Sequence, residues 1–239
     1  MNLSNVLVGC PTYDGMEYCR ESYVKHVKHL TYKKYDVVLV DNSKKDIYQK
    51  KLEKGGIKVL KDTWQEEPLE RVVSSRNILR QYAVDKEYDY LLMLEQDVIP
   101  PQTIIERLMR HQKPAVTGIY YKPFTLNIVF DNKVIKRKEI RPLLYLFVPQ
   151  QKDKFHFCTK KDVEGNYLIR AAASGLGCML IHRDIFTKIP FRTDGKLFDD
   201  NFFCEDLRNN NIPLYADTSA KCKHLVLQKP AFQVKKQKQ

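Results

Sequence analysis

Short apolar runs that stop at polar clusters constrain this chain's fold more than any other feature. Val6-Leu7-Val8 leads into Gly9-Cys10-Pro11, Val37-Val38-Leu39-Val40 stops at Asp41-Asn42-Ser43, and Leu91-Leu92-Met93-Leu94 stops at Glu95-Gln96-Asp97. A continuous apolar run, as opposed to an alternating one, marks a strand buried on both faces. Residues 57–60 and 115–119 read the same way. Between these runs, residues 17–30, 48–54, 68–86 and 100–111 read as helices, with Gly55-Gly56 as a stop and Pro68 and Pro100-Pro101 as starts. Strand alternating with helix predicts an α/β fold with a mostly parallel central sheet and helices on both of its faces.

The second half has a different texture. Residues 122–165 are rich in β-formers and bases and read as hairpins and loops. Strands are expected at 166–172, 178–182 and 213–217, and helices at 183–188 and 202–210. The expectation is one domain over residues 1–228, with an alternating half (about 1–121) and a smaller mixed or antiparallel half (about 122–228). Residues 229–239 form a basic, Lys- and Gln-rich tail.

Composition bounds the function. Lys and Arg total 41 against 29 Asp and Glu in 239 residues, a net charge of +12. No apolar run reaches the ~18–20 residues of a membrane span. The start lacks the basic and apolar pattern of a secretory leader. The six Cys include no C-x-x-C pair. A soluble cytoplasmic chain is expected. The charge calls for an anionic partner. Residues 131–141 carry five bases against two acids, and Lys229, Lys235, Lys236 and Lys238 surround Phe232 and Val234 in the tail. Both suit peripheral contact with an anionic inner membrane face or with a polyanionic acceptor. Nucleic acid is disfavoured despite the charge and 14 Tyr, because the bases are scattered and no recognition motif is present.

In sheets of this kind ligands bind beyond the carboxyl ends of the strands, where the polar clusters converge. Glu95 and Asp97, two apart, point to one side and suit a hard divalent cation, or simply cap the following helix. Glu205-Asp206, read at the start of the helix over 202–210, either favours the helix dipole or supplies a general base. His224 becomes a ligand only if folding brings it to Asp97. Arg76 sits on the long helix within reach of a phosphate or base. Gly175-Leu176-Gly177 is no dinucleotide fingerprint and reads as a turn or a close approach.

Taken in order, these segments resemble the Rossmann-like GT-A glycosyltransferases, most closely family 2. The resemblance rests on Pro11-Thr12-Tyr13, Asp41-Asn42-Ser43, Arg76-Asn77, the acidic triplet ending at Asp97, the run from Ser174 to Arg183, Glu205-Asp206 and His224. It implies transfer of a sugar from a nucleotide-sugar to a glycan, lipid-linked or protein acceptor, with inversion, the half over about 1–121 binding the nucleotide and the half over about 122–228 the acceptor. Pro11, Thr12, Tyr13, Asp14, Asp41, Asn42, Arg76, Glu95 and Gln96 would hold the nucleotide-sugar. Asp97, with His224, would ligate Mn2+ or Mg2+; Asp206, supported by Glu205, would be the base; Gly175 and Gly177 would lie on the acceptor side. The triplet departs from Asp-x-Asp in having Glu95 first. The other readings are a nucleotidyltransferase, disfavoured because residues 10–15 hold no Lys or Arg, and a non-catalytic nucleotide-sugar or nucleic-acid binding protein.

Overall fold

The structure is a computed structural model that describes residues 3–130 and 133–228. In chain order the first half holds β1 (Val6–Thr12), α1 (Arg20–Val27), β2 (Tyr35–Asp41), α2 (Ile47–Lys54), β3 (Lys58–Lys61), α3 (Pro68–Asp85), β4 (Tyr90–Leu94), β5 (Val98–Ile99), α4 (Ile104–Met109) and β6 (Ala115–Ile119). The second holds β7 (Tyr121–Phe130), β8 (Lys133–Pro142), β9 (Leu144–Val148), β10 (Gln151–Phe157), β11 (Leu168–Ala171), β12 (Ala173–Ser174), β13 (Cys178–His182), α5 (Arg183–Phe186), α6 (Asp199–Asn209), β14 (Leu214–Lys221) and β15 (Lys223–His224).

Eight strands make the central sheet, in the order β11-β14-β6-β13-β4-β1-β2-β3. The pairs β1/β2, β1/β4, β2/β3 and β6/β14 are parallel, while β13 and β11 run against their neighbours. The expected mostly parallel sheet flanked by helices is therefore present. Successive side chains of β1, β2 and β4 point to opposite faces. Leu7, Val38, Val40, Leu91 and Met93 pack with Leu79 and Ala83 of α3. Val6, Val8, Leu39, Leu92 and Leu94 pack with Tyr23 and Val27 of α1, Leu52 of α2 and Leu108 of α4. Both faces are covered, which is why these strands read as unbroken apolar runs; each fully buried Leu or Val contributes about 1.5–3 kcal/mol.

The departures from expectation lie where local pattern is weakest. A 3-10 turn over Asp14–Cys19 precedes α1, so the helix expected from residue 17 starts later. Residues 122–165 hold the long hairpin β7/β8, paired from Tyr121↔Pro142 to Phe130↔Lys133, and the small sheet β10-β9-β12. The helix expected over 202–210 begins earlier, at Asp199, so Asp199 and Asp200 occupy its first turn and Glu205-Asp206 lie inside it. Acids in a first turn meet the positive end of the helix dipole, which favours this start. No helix among the described residues is long and apolar enough to cross a membrane. The tail residues 229–239 lie outside the described residues.

Candidate active site

The carboxyl ends of β1, β2 and β4 open on two adjoining cavities. The larger, about 910 Å³, is lined by Pro11, Thr12, Tyr13, Asn42, Arg71, Gln96 and Phe198, among others. The smaller, about 450 Å³, is lined by Tyr120, Ser174, Gly175, Asp199, Asp200 and His224, among others. Arg76, Glu95, Asp97, Lys122 and Phe198 line both.

Asp97 stands at the junction. Its Oδ2 accepts a hydrogen bond from Tyr18 Oη at 2.8 Å and lies 3.1 Å from His224 Nε2. His224 is brought there by β15, which pairs antiparallel with β5 directly after the acidic triplet. Its Nδ1 lies 2.7 Å from the Tyr121 carbonyl oxygen, an acceptor only, so Nδ1 carries a proton, and in the imidazolium form Nε2–H donates to the carboxylate. Burial works against charge on both groups, but their mutual hydrogen bond outweighs it. It holds Asp97 below the usual carboxylate range and raises His224 above the usual imidazole value. A buried carboxylate with an oriented imidazole is a donor set that suits a divalent cation of the Mn2+ type. Among the described residues no group of three or more His, Cys, Asp or Glu side chains forms a complete metal cage.

Glu95 accepts a hydrogen bond from Arg76 Nη2 at 3.0 Å. Arg76 is buried on α3, its Nε is 2.5 Å from Asp199 Oδ2, and its Nη1 has no hydrogen-bond partner. This guanidinium thus ties α3 to the triplet and to the start of α6. Next to Asp199, the half-buried Asp200 lines the smaller cavity, and burial, followed by the Asp199 charge, pushes its carboxyl up to about 6.

The remaining expected residues are distributed unevenly. Thr12 and Gln96 are buried and hydrogen-bonded to each other, with Gln96 also bonded to Tyr48, so they brace the cavity floor. Asn42 lines the larger cavity and donates to Ser75 Oγ at 3.1 Å. Asp41 does not line it. That carboxylate is fully buried and spent on Ser43 and on Lys61 Nζ at 2.8 Å. Asp14 lines neither cavity; its backbone N–H donates to Ser43 Oγ. Glu205 and Asp206 line neither cavity and pair on the surface with Arg192 at 3.0 and 2.7 Å. The structure thus puts Asp199 and Asp200, not Glu205 and Asp206, at the cavity. The signal that finds them is the pair of acids directly after Leu197-Phe198, a helix start.

Gly175 and Gly177 are required by Tyr120. A Cβ on Gly175 would meet Leu143 at 2.5 Å and the Tyr120 hydroxyl, and one on Gly177 would meet the Tyr120 ring at 2.7 Å. Gly177 N–H donates to Tyr120 Oη at 3.1 Å, so the glycines let this turn close on the tyrosine beneath the smaller cavity.

No family model matches the chain, and no curated protein matches it. Solved structures do. The mannosyltransferase PcManGT from Pyrobaculum calidifontis, in complex with GDP-Man and Mn2+, aligns with a TM-score of 0.62 at 11% identity, covering 96% of this chain and 59% of that one. S. aureus TarS aligns with a TM-score of 0.57 at 14% identity, covering 92% of this chain and 36% of that one. TarS 1-349 in complex with UDP-GlcNAc gives 0.55 at 13% identity, covering 93% and 60%. The fold is a glycosyltransferase fold. The chain spans less than two thirds of the length of each of these proteins.

Proposed function

We propose that the chain is an inverting glycosyltransferase of the family 2 kind, moving a sugar from a nucleoside-diphosphate sugar to a hydroxyl acceptor. The observation that carries this reading is the cavity pair. Asp97 and His224 stand at the junction, and Asp200 faces the smaller chamber.

In this reading the larger cavity takes the nucleotide, with Pro11, Tyr13 and Asn42 along its wall. Asp97 and His224 would hold a divalent cation, which would supply charge to offset the leaving diphosphate. Asp200 takes the proton of the acceptor hydroxyl. A carboxyl raised to about 6 is still ionised at neutral pH and is a better base than an ordinary one. Asp199 is held by Arg76 and orients the start of α6, while Asp41 shapes the loop after β2 without touching the base. Tyr120, Tyr145 and Ser174 line the acceptor side.

The test is release of nucleoside diphosphate from a panel of UDP- and GDP-sugars with Mn2+ or Mg2+. The reading expects turnover of at least one donor and its loss in Asp97→Asn. No release from any donor, with or without added glycan or lipid-linked acceptors, contradicts it.

A further inference from the structure

Lys122 belongs to no motif of the sequence, yet it lines both cavities from the base of the β7/β8 hairpin. Its Nζ lies 5.9 Å from the centroid of the Phe198 ring, which precedes α6 and lines the same two cavities. The other cations of the cavity walls are committed. Arg76 is bound to Glu95 and Asp199, and Arg71 donates to the carbonyls of Gln65 and Glu66. Among the described residues no carboxylate lies within ion-pair distance of Lys122, although Glu95, Asp97 and Asp200 line the same space. Its one partner is an aromatic face, which holds an exposed cation only weakly. An ammonium so placed is free to move to a stronger anion.

We infer that Lys122 is a catalytic residue that binds the diphosphate of the donor and meets the charge formed on it as the sugar leaves. The inference rests on the glycosyl-transfer reading above and adds a residue to it. In the step, the bond from the anomeric carbon to the β-phosphate oxygen breaks, and the bond to the acceptor oxygen forms. The acceptor proton passes to Asp200. The electron pair of the broken bond stays on the diphosphate, where Lys122 donates N–H bonds to its oxygens. A charged donor in a site partly closed to water gains strength as that negative charge develops. Lys122 comes from β7 and Phe198 from the segment before α6, and the same lysine is expected to exchange the ring for phosphate when the donor binds.

The experiment compares the full chain with Lys122→Met and Lys122→Arg, titrating UDP, GDP, uridine and guanosine calorimetrically in Mn2+. Lys122→Met is expected to weaken whichever nucleoside diphosphate the unaltered chain binds by about 10–100-fold and leave its nucleoside within about twofold. Lys122→Arg is expected to restore most of the loss, and transfer kcat is expected to fall in the Met variant even at saturating donor. Unchanged diphosphate affinity in Lys122→Met, or an equal loss for the nucleoside, overturns the inference alone. Absence of any nucleotide binding by the unaltered chain overturns the reading beneath it as well.

Discussion

His224 Nε2 lies 3.1 Å from Asp97 Oδ2, although the two residues are 127 positions apart in the chain. The contact exists because β14 runs parallel to β6 and the chain then turns into β15, which pairs with the two residues that follow the triplet. With Nδ1–H held by the Tyr121 carbonyl, the imidazole has one orientation.

That orientation makes a prediction about metal. His224→Ala is expected to raise the Mn2+ concentration for half-maximal activity by about tenfold or more, as loss of an oriented ligand does. Excess chelator abolishes activity in both proteins. A Mn2+ titration of transfer that is identical in the two proteins removes His224 from the metal site.

Asp200 and Asp206 are separated by their surroundings. Asp200→Asn is expected to lower kcat by about 10²–10⁴-fold with nucleotide binding retained, the range of a lost general base. Asp206→Asn, which loosens a surface pair with Arg192, leaves kcat within about twofold and costs about 0–1 kcal/mol of stability. The base works only when ionised, and its carboxyl is raised to about 6, so kcat/KM falls as pH drops through that value. A profile that stays flat down to about pH 4.5, the range of an ordinary carboxylate, contradicts the assignment.

A second buried carboxylate is structural. Asp217 accepts hydrogen bonds from His111 Nε2 at 2.8 Å, Arg110 Nη2 at 3.1 Å and Ser219 Oγ at 2.6 Å, tying α4 to β14. Burial alone would raise it, but the bonds from Ser219 and His111 outweigh that and hold it below its ordinary value. The folded value lies below the unfolded one, so the stabilisation is present above about pH 4 and fades as pH falls through the folded value. Asp217→Ala is expected to cost about 1–3 kcal/mol in denaturant melts at pH 7, because it takes the carboxylate from the half-buried His111 while the exposed Arg110 keeps Ser219 Oγ and water, and less at pH 3.

We propose that the β7/β8 hairpin meets an anionic membrane face. Val134 and Ile135 are exposed beside the exposed Lys136, Arg137 and Lys138. Reversing those three charges to Glu is expected to abolish cosedimentation with phosphatidylserine-containing vesicles, since each base near such a surface adds about 1 kcal/mol. Sedimentation that persists, or that is equal on neutral vesicles, rules the hairpin out.

The central strands were legible because both faces of β1, β2 and β4 are buried, which leaves an apolar run in the sequence. The convergence of the polar clusters followed from parallel strands alone. The contact of Asp97 with His224 depends on how β14 and β15 return across the sheet, and no local pattern carries that. The start of α6 is obscured in the sequence because Asp199-Asp200 follow Leu197-Phe198, which read as loop and are exposed at the helix start. Asp41 stands at a strand end like Asp97, but Lys61 and Ser43 bury it, and pattern reading does not separate a spent carboxylate from a free one. Lys122 is not legible in the sequence, because an isolated lysine carries no signal until its cavity exists.

The central claim is that the paired cavities take a nucleotide-sugar at Asp97. Thermal melts of the full chain with UDP-GlcNAc, GDP-Man and other nucleotide-sugars, with and without Mn2+, test it most directly. At least one donor is expected to raise Tm by about 5 °C or more at saturation, only when Mn2+ is present, and Asp97→Asn is expected to remove the shift. No shift with any donor, or an equal shift in Asp97→Asn, would contradict it.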